Sequence, residues 1–243
     1  MKKRICFVTT YYDFSRARML RSYEKILPKD VEIYLICQKD EKIKFKTTRV
    51  KKFEYSSKKP LVMFELNKFC KKNKIDILTN LSGGPAMALT VGIGTIFNKT
   101  KNIFYDHGNP KKKTLLSLLF FQFILDKILV CSPDFLDKTK KYLFLKKNRI
   151  FHLSIPTNID FFKQIDKKKI RTELNMKLTE DIIISVGRIE YQKGSDFLLK
   201  IMKNNPKKKF ILVSNDIATE FKEKLKELKN YIIFSNISTK ELI

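Results

Sequence analysis

Residues 185–199 read SVGRIEYQKGSDFLL. The hydrophobic run Ile182–Val186 ends in Gly187-Arg188, Lys193-Gly194 follow, and an apolar helical pattern begins behind them. Strand, loop and helix in that order place Gly187 at the carboxyl end of a strand, where ligands bind in open α/β sheets. Only seven glycines occur in the whole chain, and two of them stand here, each beside a fixed positive charge. Glycine lets backbone and ligand approach closely. Arg188 offers a fork of donors suited to phosphate, and Lys193 adds a point charge. Gly194 opens a helix whose N-terminus also favours an anion. The constellation suits a diphosphate. Gly-Arg also occurs in loops that hold nothing, so the residues alone leave both readings open.

The alternation continues outward on both sides. ICFVTT (5–10) reads as a buried strand and SRARMLRSYEKIL (15–27) as a helix, with Ser15 its expected N-cap and Leu20, Tyr23 and Leu27 on one face. VEIYLIC is a strand. Pro60 is placed to open the helix LVMFELNKFCKKN, where Val62, Leu66, Phe69 and Cys70 lie close together. IDILTN and NIFYD are strands around the helix-like PAMALTVGIGTIF. KILVC is a strand before a helix that starts at Pro133, and RIFHL leads into SIPTNID. After the charged segment IDKKKIRTEL a second series begins: DIIISVG, a helix from about 195, KKFILVS, a helix around 218–229, and YIIFS. Strand and helix alternating on this scale means parallel sheets with right-handed crossovers. The expected division is therefore residues 1–165 and residues 166–243, two Rossmann-like units. The second offers three strands, fewer than a complete doubly wound sheet.

The chain has 243 residues, 43% of them hydrophobic, enough for packed cores. Its 51 Lys and Arg against 25 Asp and Glu leave a net charge of +26. Such a field favours anionic partners; compositional drift, with lysines on solvated faces, explains it equally well. The four cysteines (Cys6, Cys37, Cys70 and Cys131) are scattered and form no CxxC pair. They read as small hydrophobes in a reducing compartment, so the expected location is the cytoplasm. No helix-turn-helix, zinc or RNA-binding signature accompanies the charge, and the lysines are spread evenly, which argues against a nucleic-acid-binding protein.

ISVGRIEYQKGSDFLLKIM resembles the donor-site segment of glycosyltransferase family 4, retaining enzymes with the GT-B fold. ILVCSPDFLDKTKKYL is similar to that family's strand–Ser–helix segment, and SIPTNIDFF to the segment leading out of its N-terminal domain. FILVSNDIATEFKEKLKELKNYIIFSNISTKEL looks like the next strand, helix and strand of its donor domain. The resemblance covers about 102–243 well and is looser before that. It implies an α/β chain of GT-B type, with an acceptor-side domain and a nucleotide-sugar domain, the second incomplete. It also implies transfer of a sugar from a nucleoside-diphosphate sugar to a saccharide or lipid-linked saccharide, with retention.

By this resemblance Gly187, Arg188, Lys193 and Gly194 bind the donor, and Arg188 and Lys193 stabilise charge on the leaving phosphate. No metal or cofactor is then required at the site. His107, in YDHGNP, matches a histidine the family places beside the donor sugar. His152, inside a strand, reads as structural. Gly83 and Gly84, in SGGP at a strand end, with Ser132 and Asn158, are expected to line the interdomain cleft; a simple turn explains the glycines equally well.

Two departures stand out. Where the family often carries a Gly-Gly loop after the first strand, this chain reads TTYYDFSRARML; Ser15, Arg16 and Arg18 are candidates to stand in as helix-start donors. The family's paired glutamates would fall after residue 243, which suggests a fragment, a partner-dependent chain or a non-catalytic relative. PKKKTLLSLLFFQFILDKILV (110–130) sets three lysines before the apolar segment 115–125. It reads either as a helix buried against the sheet or as a peripheral contact with an anionic membrane.

Overall fold

The computed structural model describes residues 2–10, 14–38, 49–55, 62–82, 84–107, 118–119, 122–142, 147–157 and 166–235. The chain divides into two compact units, Met1–Asn158 and Ile159–Ile243.

The first unit runs β1 (Arg4–Thr9), α1 (Phe14–Ile26), β2 (Glu32–Gln38), β3 (Val50–Tyr55), α2 (Val62–Lys72), β4 (Ile77–Asn80), α3 (Pro85–Ile93), β5 (Lys101–Asp106), β6 (Lys127–Val130), α4 (Pro133–Tyr142) and β7 (Ile150–His152). These strands form one seven-stranded sheet in the order β3-β2-β1-β4-β5-β6-β7, parallel at every pairing. Alternate residues of the central strands feed two cores. Cys6 and Val8 of β1 join Tyr34 and Ile36 of β2 on one face, where Val62, Leu66 and Cys70 of α2 and Met87, Ala88 and Val91 of α3 pack. Phe7, Ile33, Leu35 and Cys37 face the other way, onto Ala17, Met19, Leu20 and Tyr23 of α1. Helices on both faces make the sheet doubly wound, which is why its strands are near-continuous apolar runs.

The second unit comprises α5 (Lys167–Glu173), β8 (Ile182–Val186), a 3₁₀ turn (Tyr191–Lys193), α6 (Ser195–Asn204), β9 (Lys209–Val213), α7 (Thr219–Lys226) and β10 (Tyr231–Phe234). Its three described strands are parallel in the order β10-β9-β8. Met202 of α6 and Phe221 and Leu225 of α7 pack with Phe210, Leu212 and Ile189 on one face of the sheet. On the other face β8 leaves Ile184 and Val186 more than 60% exposed, at 62% and 63%.

Several expectations are amended. Helix α1 begins at Phe14, so Ser15 lies inside its first turn rather than capping it; Pro60 lies outside the described residues. His152, read as a structural residue inside a strand, is the last residue of β7 and is exposed. Within 115–125, Leu118 and Leu125 are buried, Leu119 packs against the first core, and a turn at 122–124 leaves Phe123 exposed. The described part of this segment therefore follows the buried reading, but it is not one helix as far as residue 125. Among the described residues no helix is long and apolar enough to cross a membrane. All four cysteines are free, Cys6, Cys37 and Cys70 buried and Cys131 half-buried. Burial pushes the Cys70 thiol up to about 12, so it stays protonated.

Candidate functional site

In the second unit the quoted stretch forms the connection from β8 to α6. Strand β8 hands over at Gly187, whose N–H still donates to the Val213 carbonyl at 2.9 Å. Gly187 has φ +143 and Gly194 φ +71, and a Cβ on either would meet nothing within 4 Å. Glycine is thus required by backbone conformation, not by packing, and the space over both is open. Between them Ile189 is buried and ties the loop down, its N–H donating to the Asp216 carbonyl and its own carbonyl accepting from Ala218 N–H, both at 2.9 Å. This anchor turns its neighbours outward. Arg188 is exposed, and its Nη2 lies 3.0 Å from Glu190 Oε1. Lys193, also exposed, ends the 3₁₀ turn. Helix α6 has no side-chain cap, so its first N–H groups are left to other acceptors, although Asp196 already places one carboxylate in that turn. Gly187, Arg188, Lys193 and Gly194 thus share one open, mostly basic connection at a strand's carboxyl end.

A cleft of about 230 Å³ opens at the carboxyl end of the first sheet. It is lined by Arg16, Arg18 and Met19 of α1, Leu81 and Ser82 after β4, His107 after β5, and residues 155–157 after β7. Strand β1 has β2 on one side and β4 on the other. The chain thus reverses its direction of winding between β1 and β4, the switch point where such sheets hold ligands.

His107 is held from below. Asn80, buried at the end of β4, donates from Nδ2 to the Tyr105 and Ser82 carbonyls and accepts the Tyr105 N–H at Oδ1, each at 2.7 Å. The Tyr105 ring lies 4.2 Å from the imidazole, and its hydroxyl donates to the Leu153 carbonyl at 2.6 Å. Burial lowers the His107 pKa to about 4, against the opposing effect of a hydrogen bond with the Asn80 backbone. The imidazole is therefore neutral at pH 7, and among the described residues its Nε2 is buried without a partner.

The remaining candidates are placed as follows. Gly84 is the N-cap of α3 with φ +109 and open space around it. The Ser132 carbonyl accepts the Leu136 N–H at 3.1 Å and its Oγ the Phe135 N–H at 3.4 Å, so it caps α4. Gly83 and Asn158 lie outside the described residues. Among the described residues no cluster of His, Cys, Asp or Glu could hold a metal. Arg16 and Arg18 surfaced in the sequence only as stand-ins for missing glycines. Asn80 was missed, although a polar residue closing the apolar run ILTN is the signal that would have found it.

No protein-family model matches the chain, and no curated protein matches it in sequence. Solved structures do match in fold. HepE from Anabaena, in complex with UDP-glucose, superposes with a TM-score of 0.72 at 13% identity, covering 98% of this chain and 71% of that one. A glycosyltransferase from Rickettsia africae gives 0.71 at 17% identity, covering 98% and 69%. The UDP-GlcNAc 2-epimerase from Neisseria meningitidis, bound to UDP-GlcNAc, gives 0.62 at 10% identity, covering 100% and 74%. The chain has a GT-B-type α/β fold built of two Rossmann-like parallel-sheet units. At these identities the likeness carries the fold, and it does not single out glycosyltransferase family 4.

Proposed function

We propose that the chain binds a nucleoside-diphosphate sugar through the β8–α6 connection and transfers the sugar, with retention, to a hydroxyl of a saccharide or lipid-linked saccharide. The observation that carries this reading is Gly187-Arg188 at the carboxyl end of β8, followed by Lys193 and the uncapped start of α6, in a GT-B-type fold. A diphosphate needs positive charge and N–H donors, and needs them more as its bond to the sugar breaks. Arg188 and Lys193 supply the charge, and Glu190 steadies the guanidinium from one side. The new bond forms between the acceptor oxygen and the anomeric carbon as the bond to the phosphate oxygen breaks, and the departing phosphate takes the acceptor's proton. Neutral His107 then serves as a hydrogen-bonding partner of the sugars, not as a cation. A peripheral contact with an anionic membrane, through the lysines of 110–114, suits a lipid-linked acceptor; those residues lie outside the described ones.

The HepE structures hold UDP or UDP-glucose, so UDP is the first ligand to test. Calorimetric titration of the full chain should show UDP and UDP-glucose binding. Arg188→Gln and Lys193→Gln should each weaken it about tenfold or more, the usual effect of losing one charge-assisted hydrogen bond. Unchanged affinity in both variants would remove the β8–α6 connection from the site. The fate of the sugar separates chemistries. Transfer to an added saccharide supports the proposal, whereas inversion at a sugar carbon without transfer would place the chain with the epimerase folds.

A further inference from the structure

Between Gly187 and Asp196 the chain carries Arg188 and Lys193, but also Glu190 and Asp196. Two basic and two acidic residues cancel there, in a chain whose 51 Lys and Arg outnumber its 25 Asp and Glu. A loop that only attracts anions has no use for that balance. Asp196 lies in the first turn of α6, where the helix dipole accounts for a carboxylate. Nothing comparable accounts for Glu190. It is the N-cap of the 3₁₀ turn, yet its side chain makes no capping hydrogen bond; its backbone carbonyl does the capping, accepting the Lys193 N–H at 3.0 Å. The carboxylate is turned to Arg188 instead. Its Oε1 is buried 3.0 Å from Arg188 Nη2, an attraction of charges without hydrogen-bond geometry. The Arg188 side chain is 55% exposed and, among the described residues, has no other partner. Its planar fork can therefore take a phosphate on the free edge while Glu190 stays beside it.

We infer that Glu190 sets which diphosphate this connection prefers: its carboxylate opposes an extra negative charge on the ligand, and so favours the sugar-capped donor over the free nucleoside diphosphate left after transfer. The inference rests on the donor reading above and adds a specificity to the same loop. Breaking the sugar–phosphate bond leaves a product about one charge more negative than the donor, because the freed terminal phosphate ionises a second time at about pH 6. An uncompensated Arg–Lys pair attracts that product more strongly than the donor, since each added charge adds attraction. Any phosphate held by the Arg188 guanidinium lies within one screening length, about 10 Å at about 0.1 M salt, of the Glu190 carboxylate. At that range Glu190 repels the added charge and removes the bias. The loop thus holds a donor and lets the spent nucleotide go.

Calorimetric titration of the full chain with UDP-glucose and with UDP, at about pH 8 and about 0.1 M KCl, reads the preference as a ratio of two Kd values. Glu190→Gln should shift that ratio toward UDP by about threefold or more, the Coulomb effect of one charge at such a distance in near-aqueous surroundings. Glu190→Asp keeps the charge with a shorter reach and should keep the wild-type ratio. At about 1 M KCl the difference between Glu190→Gln and wild type should close. Both variants leave the capping carbonyl in place, so the turn at Lys193 survives them. Equal changes for the two ligands in Glu190→Gln would show that the carboxylate only positions the guanidinium, and would overturn the inference; so would no change at all. A ratio that moves as far in Glu190→Asp as in Glu190→Gln would make reach, not charge, the cause, with the same consequence. A wild type that binds neither ligand brings down the donor reading and this inference with it. A wild type that binds both, with a ratio that Glu190→Gln leaves in place, brings down this inference alone.

Discussion

Burial, and not a charged neighbour, is the main force on His107, and its effect on stability has a definite sign. The folded pKa of about 4 lies below the ordinary 6.5. Above pH 6.5 both folded and unfolded chains carry the neutral ring, and the group contributes no pH dependence. As the pH falls from 6.5 toward 4 the unfolded chain takes up a proton that the folded one refuses, so stability drops with acid, by about 2–3 kcal/mol for a shift of this size. Urea unfolding at pH 7 and pH 4.5 should show this loss in the wild type and a smaller loss in His107→Gln; equal losses would mean that the ring is not buried in solution. Gly187 and Arg188 were legible from sequence because a strand end, a glycine and a fixed charge are all local facts. The environment of His107 was not. Asn80, Tyr105 and Leu153 reach it from three separate stretches of chain.

At the scale of elements, the strand the hydrophobic pattern passed over is β3. Its sequence VKKFEY carries two lysines and a glutamate and lies at the sheet edge, where charge is tolerated and discourages further pairing. The turn into it is built around Arg49. The guanidinium donates to the carbonyls of Glu24 and Pro28 at 2.6 Å and of Leu27 and Val31 at 3.2 Å. The Arg49 N–H donates to the Glu24 carboxylate at 2.6 Å. One side chain thus satisfies carbonyls at the C-terminus of α1, the helix that carries Arg16 and Arg18 at its other end, and its charge favours that end of the dipole. Arg49→Ala should cost about 2–3 kcal/mol in urea unfolding, with Arg49→Lys recovering only part because a point charge cannot reach several carbonyls at once. A loss below about 0.5 kcal/mol would show that water replaces these bonds freely.

For the whole molecule, the net charge of +26 is a self-repulsion that folding concentrates. Raising KCl from about 0.1 M to about 1 M shortens the screening length from roughly 10 to roughly 3 Å. The melting temperature should therefore rise, by roughly 2–4 °C for each kcal/mol of repulsion removed, while the UDP binding proposed at Arg188 and Lys193 should weaken. A melting temperature that stays flat would mean the lysines are too dispersed to repel. The sequence by itself determined the α/β class, the parallel sheets, nearly every strand and the basic connection after β8, because these follow from the period of apolar residues and from chemistry within a few positions. It also pointed to the GT-B fold, since Gly187, Lys193 and the segments around them occur in a recognisable order. Only the tertiary structure decided that Arg16, Arg18 and His107 share a cleft, that Asn80 and Tyr105 hold the imidazole, and that Arg49 closes α1. Those contacts join residues far apart along the chain, and no local pattern in the sequence records which distant strand ends the sheet order sets side by side.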